Sequence, residues 1–364
     1  MGLKIDGSYG EGGGQILRTA LALSVILRQP VEIANIRARR KRPGLRPQHL
    51  AGVRALAEVS QAEVWGDGLG SSFLSFSPGQ IRSGAYTFDV AEETRSAGAV
   101  SLLFQALALP LAYGSGPSEV RLRGGTHVSW SPPFHYLTEV LLPTLARAGY
   151  RADLWLQNWG WYPVGGGVVD LRVEPLNGLQ PLTRWKRGAL QAIQGLSAAS
   201  NLPVHVAERQ ARRAKERLLA RGLPVEIQII PAPSPGQGSF LFLVALSEGG
   251  MGGFSALGAR GKRAEAVADE AVDALIQYLD SGCALDEHLA DQLIPFLALA
   301  PGDSGFTTSR ISQHLLTNLW VVRQFLPVEF TVEGEEGSPG AVKVTPSRQG
   351  EQVSPRPRGL TADP

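Results

Sequence analysis

Glycine gathers in this chain where strand-like patterns give way to helical ones, and that placement restricts the folds open to it. Of 364 residues, 43 are glycine and 25 proline. They are clustered rather than periodic, which excludes a collagen-like helix. Every residue of segment 10–14 except Glu11 is glycine, and the run VGGGV at 164–168 is a second joint of the same kind. Such joints mark tight turns or backbone that must come close to another group.

Around these joints the apolar pattern alternates between two periods. Residues 3–5 read as a strand, and 15–27 as a helix through Ile16, Leu17, Ala20, Leu21, Leu23 and Ile26. A strand over 31–36, a helix over 47–60 and strands over 62–65, 72–76 and 86–90 follow. The stretch 97–113 is apolar all round, which predicts a helix buried on most sides. Then come a strand at 120–122, a helix over 134–148, and strands over 152–156 and 167–173. This repetition predicts an α+β chain of repeated βαβ-type units packed side by side.

The pattern shifts near LTRWKRG at 182–188. Strands over 189–198, 225–230, 239–246 and 254–256, with helices over 204–221 and 262–278, predict a smaller inserted α/β domain. The large domain should therefore occupy 1–181 and 281–346, the insertion 182–280, and a flexible tail 347–364. The last part of the large domain reads as a helix at 288–297, a Pro-Gly-Asp-Ser-Gly turn at 301–305, a helix at 312–325, and strands at 328–332 and 341–344.

Apolar residues make up 43% of the chain and charged residues 19%, as expected for a protein with a sizeable core. The net charge of +2 is too small to announce a nucleic-acid binder, so any such surface must be local. One cysteine, Cys283, permits no internal disulfide and fits a reducing cytosol, so a cytoplasmic location is expected. No secretory signal is apparent and no apolar run approaches the ~18 residues of a membrane span.

The common catalytic signatures are missing. There is no GxxxxGK[ST], HExxH, CxxC or GxSxG. The six histidines share no short spacing that would make a zinc site. What remains is less familiar. The segment DGSYGEGGGQILR at 6–18 joins a strand to a helix, so its backbone N–H groups could meet an anion. Glu11 there is a hard oxygen donor suited to a divalent metal; the competing reading is an exposed acid in a tight turn. The segment RARRKRPGLR at 37–46 carries six basic residues in ten, broken by Pro43-Gly44. Arginine forks match phosphate oxygens; a solvated charged loop is the alternative. The basic run at 209–221 reads as an ordinary solvent-facing helix. His314, early on an apolar helix, would alone pass for a packed or capping side chain.

Taken together, DGSYGEGGGQILR, the RPGL-RPQHL ending of 36–50, GGT at 124–126, YPVGGGV at 162–168, HLADQL at 288–293 and SQHLLTN at 312–318 resemble the RNA 3′-terminal phosphate cyclases. The resemblance runs in order from about residue 2 to 346. It implies repeated units of the enolpyruvyl transferase/RNA cyclase-like kind with a small insertion. It also implies an ATP-dependent, ligase-type nucleotidyl transfer that turns an RNA 3′-phosphate into a 2′,3′-cyclic phosphodiester, releasing AMP and diphosphate. Matched residue by residue, the family's adenylated histidine, carrier of a phosphoramidate intermediate, falls on His314. Its ATP contacts fall on Gln105, His288, Leu289, Ala290, Asp291 and Gln292. Its other site residues fall on Glu11, read as the ligand of Mg2+ or Mn2+, and on Arg18, Arg37, Arg40 and Gln48, read as contacts to the RNA end and phosphates. An aromatic residue is expected at the position of His288 in some relatives, so base stacking there is expected to differ. The implied partner is RNA with a 3′-phosphate end, with no membrane, and a homodimer is expected because the family has dimeric members. The alternative is a non-catalytic RNA-binding, ribosome-assembly factor on the same fold. That branch lacks the histidine present here as His314.

Overall fold

The computed structural model describes residues 2–90 and 97–346, so the tail expected over 347–364 lies outside the described residues. The chain is a mixed α+β protein built on four-stranded sheets.

The first unit runs β1 (Leu3–Asp6), α1 (Gly14–Leu27), β2 (Val31–Ala34), α2 (Pro47–Ser60), β3 (Glu63–Trp65) and β4 (Leu74–Ser77). Its sheet order is β1-β2-β4-β3, with β1 and β2 parallel and the remaining pairs antiparallel. The second unit repeats the scheme with β5 (Ala85–Asp89), α3 (Val100–Ala112), β6 (Ser118–Gly124), a helical stretch made of α4 (Phe134–Tyr136), a π-type turn (Leu137–Leu141) and α5 (Leu142–Arg147), then β7 (Ala152–Asn158) and β8 (Gly167–Val173). Its order, β5-β6-β8-β7, is the same.

The third unit is split. Its first strand, β9 (Thr183–Arg184), is followed by β10 (Leu190–Ser200), α6 (His205–Leu219), β11 (Val225–Pro231), β12 (Gly238–Ser247), β13 (Met251–Leu257) and α7 (Ala264–Ser281). Only then come α8 (Glu287–Ala298), β14 (Ser304–Thr308), α9 (Gln313–Phe325), β15 (Val328–Glu333) and β16 (Gly340–Pro346). β9 pairs in parallel with β14, and the sheet β9-β14-β16-β15 again has the topology of the first two. The elements from β10 to α7 form their own sheet, ordered β11-β10-β12-β13, over a separate core that includes Ile193, Leu243, Val267 and Leu275.

Local chemistry accounts for the helices. α1 buries Ile16, Leu17, Ala20, Leu21 and Leu23, and ends at Arg28 in the left-handed region (φ 51°). Pro47 opens α2, where its missing N–H costs nothing. α3 has only Leu102 and Gln105 partly accessible and packs against α1 and α2. Each fully buried Leu or Phe here contributes about 1.5–3 kcal/mol. α1 also packs on α9, and α9 on α8, so the first helices of all three units meet in one interior.

The structure departs from the sequence reading in two strands. β9 was not expected, and the turn expected at 301–305 runs into β14. Both are made by pairing with each other and with β16 rather than by any local pattern.

Candidate active site

The loop from β1 to α1 is fastened before it reaches Glu11. Asp6 Oδ1 accepts from Ser8 N–H at 3.0 Å, Ser8 Oγ at 2.8 Å and Asn35 Nδ2 at 3.2 Å. The Ser8 backbone bond leads in holding the Asp6 carboxyl below its usual range. Tyr9 stacks on Trp320 of α9, with centroids 4.0 Å apart and planes within 9°. Gly10 (φ 54°) presses against Thr317, and a Cβ there would lie 2.6 Å from Thr317 Oγ1. The glycine joint is thus docked along α9. Glycine at 14 likewise makes room, since a side chain there would collide with His49 Nε2.

α9 begins with Ser312 as its cap, whose Oγ accepts from Leu315 N–H at 3.1 Å. Leu315, Leu319 and Val322 face the core, which leaves His314 on the open side of the first turn with 47% of its side chain exposed. Its Nδ1 lies 3.3 Å from Glu11 Oε2, and the same oxygen accepts from Arg40 Nη2 at 3.0 Å. Burial lowers the His314 pKa, Glu11 acts to raise it, and Arg18, His288 and Arg40 lower it further. The imidazole is therefore biased to be neutral near pH 7.

Behind this pair lies a small cavity lined by Leu17, Arg18, Gln48, His49, Leu102 and Ala106. Burial depresses Arg18 to about 10 and Asp291 opposes it, while burial pushes Asp291 itself up to about 7 against the pull of His288 and Arg18. His49 is held neutral, at about 3, first by burial and then by Arg37, Arg18 and Arg46. Its Nδ1 accepts from Arg46 N–H at 3.1 Å, so its proton sits on Nε2. Gln105 donates to Gln292 Oε1 at 2.8 Å, which ties α3 to α8. Arg37 (φ 54°) donates through Nη1 to the carbonyls of Arg42 (2.7 Å) and Gly44 (3.1 Å) and braces its loop.

The structure therefore gathers Glu11, Arg18, Arg40, Gln48, Gln105, His288, Asp291, Gln292 and His314 around one end of α1, α3, α8 and α9. Leu289 and Ala290 stand apart. Both side chains are fully buried, and both N–H groups are taken by Asp286. They shape α8 from inside and present no free polar group.

Sequence reasoning missed three supporting residues. His49 stands in the RPQHL motif, but its spacing from the other histidines marks no metal site and nothing else in the sequence singles it out. Asn318 accepts from Thr19 Oγ1 at 2.7 Å and donates to the Asp291 carbonyl at 2.8 Å, joining α1, α9 and α8. Asp286 caps α8 and also accepts from Tyr136 Oη and Gly253 N–H. An aspartate two residues before the HLADQL motif is a readable cap signal, but its distant partners are not.

A family profile described as RNA 3′-terminal phosphate cyclase matches residues 9–332. The chain belongs to the RNA 3′-terminal phosphate cyclase family. Its relatives include the RNA 3′-terminal phosphate cyclase of Methanopyrus kandleri, 47% identical over 351 residues, which cover 94% of this chain and 99% of that one. The RNA 3′-terminal phosphate cyclase of Methylococcus capsulatus is 49% identical over 346 residues, covering 94% of this chain and 96% of the relative. A solved structure, the enolpyruvyl transferase NikO from Streptomyces tendae, shares 18% identity over 60% of this chain and 38% of its own, at a TM-score of 0.25, too slight to bear on the architecture. Family members of this kind are enzymes. Among the described residues, no helix is long and apolar enough to cross a membrane.

Proposed function

We propose that this chain uses ATP to convert an RNA 3′-phosphate into a 2′,3′-cyclic phosphodiester, with His314 as the carrier of AMP. The observation behind this reading is the exposed imidazole at the start of α9, with Nδ1 against Glu11. A carboxylate beside Nδ1 favours the proton there, so Nε2 keeps its lone pair as the nucleophile.

Three displacements at phosphorus then follow. His314 Nε2 attacks the α-phosphorus of ATP, the P–N bond forms, and diphosphate leaves with the electrons of the broken P–O bond. An oxygen of the RNA 3′-phosphate attacks the same phosphorus and releases the imidazole, giving an RNA end joined to AMP through a phosphoanhydride. The 2′-hydroxyl attacks the terminal RNA phosphorus, loses its proton to solvent or base, and expels AMP. Division into steps helps because a bare phosphate monoester offers a poor leaving group. Most of the catalysis is placement and charge neutralisation.

We assign Gln105, His288, Asp291 and Gln292 to the nucleotide, with Leu289 and Ala290 as the packed support beneath them. Arg18, Arg37, Arg40 and Gln48 are assigned to the RNA end and phosphates. The positive end of α9 favours phosphate beside His314. Glu11 is the residue that would hold a divalent cation. Among the described residues no cluster of three or more His, Cys, Asp or Glu surrounds it. With its one carboxylate, Glu11 would share Mg2+ or Mn2+ with water and the substrate phosphates, and the ion would offset their charge.

The test is incubation with ATP labelled at the α-phosphate. The wild-type chain should acquire an acid-labile, alkali-stable label and pass it to a 3′-phosphorylated oligonucleotide added second. Label on the His314→Ala variant would show that another residue is the nucleophile.

A further inference from the structure

The arginine-rich loop contains more positive charge than the terminal phosphate can use. Arg37 is occupied by its own loop's carbonyls and Arg40 by Glu11. Arg39, Lys41 and Arg42 are exposed, and among the described residues their side chains make no hydrogen bond or ion pair. Arg39 lies close enough to Asp6 for its charge to help lower that carboxyl's pKa. The other basic segment is different. Arg209, Arg213 and Arg217 of α6 are each matched to Glu265, Asp269 or Asp273 of α7, at 2.7–2.8 Å for the closest contacts.

These free cations do not sit on a loose loop. Gly44 N–H donates to the Ile36 carbonyl at 2.9 Å and closes the loop at its base. Ile36 N–H donates to Ser72, Leu45 N–H to Ser71, and Gly70 N–H to Leu45, which zips it to the segment 70–72. That segment leads on one side to Leu69, 60% exposed, and on the other to Phe73, which meets the 70% exposed Trp65 edge-on at 5.4 Å. The result is a braced row of unpaired charge beside exposed apolar surface, one residue from the Arg40 that reaches Glu11 and, through it, His314.

We infer that Arg39, Lys41 and Arg42 form a track for the RNA backbone upstream of the 3′-phosphate, with Trp65 and Leu69 offering surface to its bases. The inference rests on the cyclase reading for which end of the RNA lies at His314. Arg39 to Arg42 spans at most about 10 Å of chain, room for two or three successive phosphates. Unpaired cations fixed in place bind single strands without regard to sequence, and aromatic or apolar surface adds base stacking. The track would make the enzyme prefer a strand over a lone 3′-nucleotide while remaining indifferent to its sequence.

The experiment compares wild type with R39Q/K41Q/R42Q, using full chains. Binding of a fluorescent, 3′-phosphorylated RNA of about a dozen nucleotides is followed by anisotropy at low and moderate salt, and turnover of the same RNA is compared with that of a 3′-phosphorylated dinucleotide. Three lost phosphate contacts should flatten the salt slope by about 2, so that wild type loses roughly 20-fold more affinity than the variant between 50 and 200 mM salt. The variant should also lose the preference for the long RNA over the dinucleotide. Equal salt slopes and an unchanged preference would overturn the track. A flattened slope in a protein that cyclises neither RNA would uphold the surface and refute the cyclase reading instead. All three side chains are exposed, so equal thermal midpoints are expected and serve as the folding control.

Discussion

Gly10→Ala tests whether the glycine joint exists to bring Glu11 to His314. At φ 54° an alanine costs about 1–2 kcal/mol of backbone strain. Its Cβ would also stand 2.6 Å from Thr317 Oγ1 and 3.1 Å from the Gln313 side-chain amide. Thr317 is buried and its hydroxyl donates to the Gln313 carbonyl at 2.7 Å, so moving it aside sacrifices about 1 kcal/mol more. The sum is about 2–3 kcal/mol, a fall in thermal midpoint of roughly 3–4 °C for a chain of this size. If the loop lifts rather than the helix yielding, Glu11 moves away from His314 and self-adenylation falls further than stability alone explains. Thermal unfolding and α-phosphate labelling are measured for Gly10→Ala, Thr317→Ala and the double variant. Against Thr317→Ala the glycine substitution should retain only its strain, a coupling of about 1 kcal/mol. An equal cost of Gly10→Ala in both backgrounds would show that close approach to α9 is not the reason for glycine here.

Two further predictions concern protons. Asp291 is pushed up to about 7 by burial, whereas an unfolded aspartate titrates at 3.8. Between those values the folded chain keeps a proton that the unfolded chain has lost, so this residue makes stability fall as pH rises from about 4 to about 7. The full effect is at most about 4 kcal/mol, and Asp291→Asn should flatten urea-unfolding stability across that window; an unaltered pH profile would count against a protonated Asp291. Arg40 is among the groups that depress His314. Arg40→Gln should therefore shift the acid limb of self-adenylation to higher pH, and a shift to lower pH would contradict the assigned electrostatics.

The parts of the site that the sequence displays are those with a local cause. Pro47 and the apolar face behind it set α2 to the residue, and Ser312 followed by an apolar run marks the start of α9. The glycine joint was legible because no other residue tolerates such close contact. What could not be read is which distant groups meet. Thr19 and Asn318 are 299 residues apart in the chain, and Gln105 and Gln292 are 187 apart. β14 was read as a turn because PGDSG carries turn residues and its strand character comes only from its neighbours. Leu289 and Ala290 illustrate a different limit. A motif match marks positions without saying how they serve, and the side chains of these two fill the core.

The three units are alike in topology, and the parts of the proposed site are divided among them. The first supplies the glycine joint and arginines, the second Gln105, and the third α8 and α9. The insertion enters between β9 and α8, immediately before the helix that carries His288, Asp291 and Gln292. Asp286 sits at that entry. Its carboxylate accepts from Tyr136 Oη (2.8 Å) of the second unit, from Gly253 N–H (3.1 Å) of the insertion, and from His288 and Leu289 N–H (2.8 and 2.9 Å) of its own helix. Burial raises its pKa, and His288, Leu289, Tyr136 and Gly253 offset only part of that rise, so the carboxyl depends on these partners. Removing any one partner leaves a buried carboxylate short of a bond, at a cost of about 1–3 kcal/mol. The insertion is thereby fixed to the start of α8. A shift of its sheet would move β13 away from Asp286, loosen the cap, and disturb His288 and Asp291 before it disturbed His314.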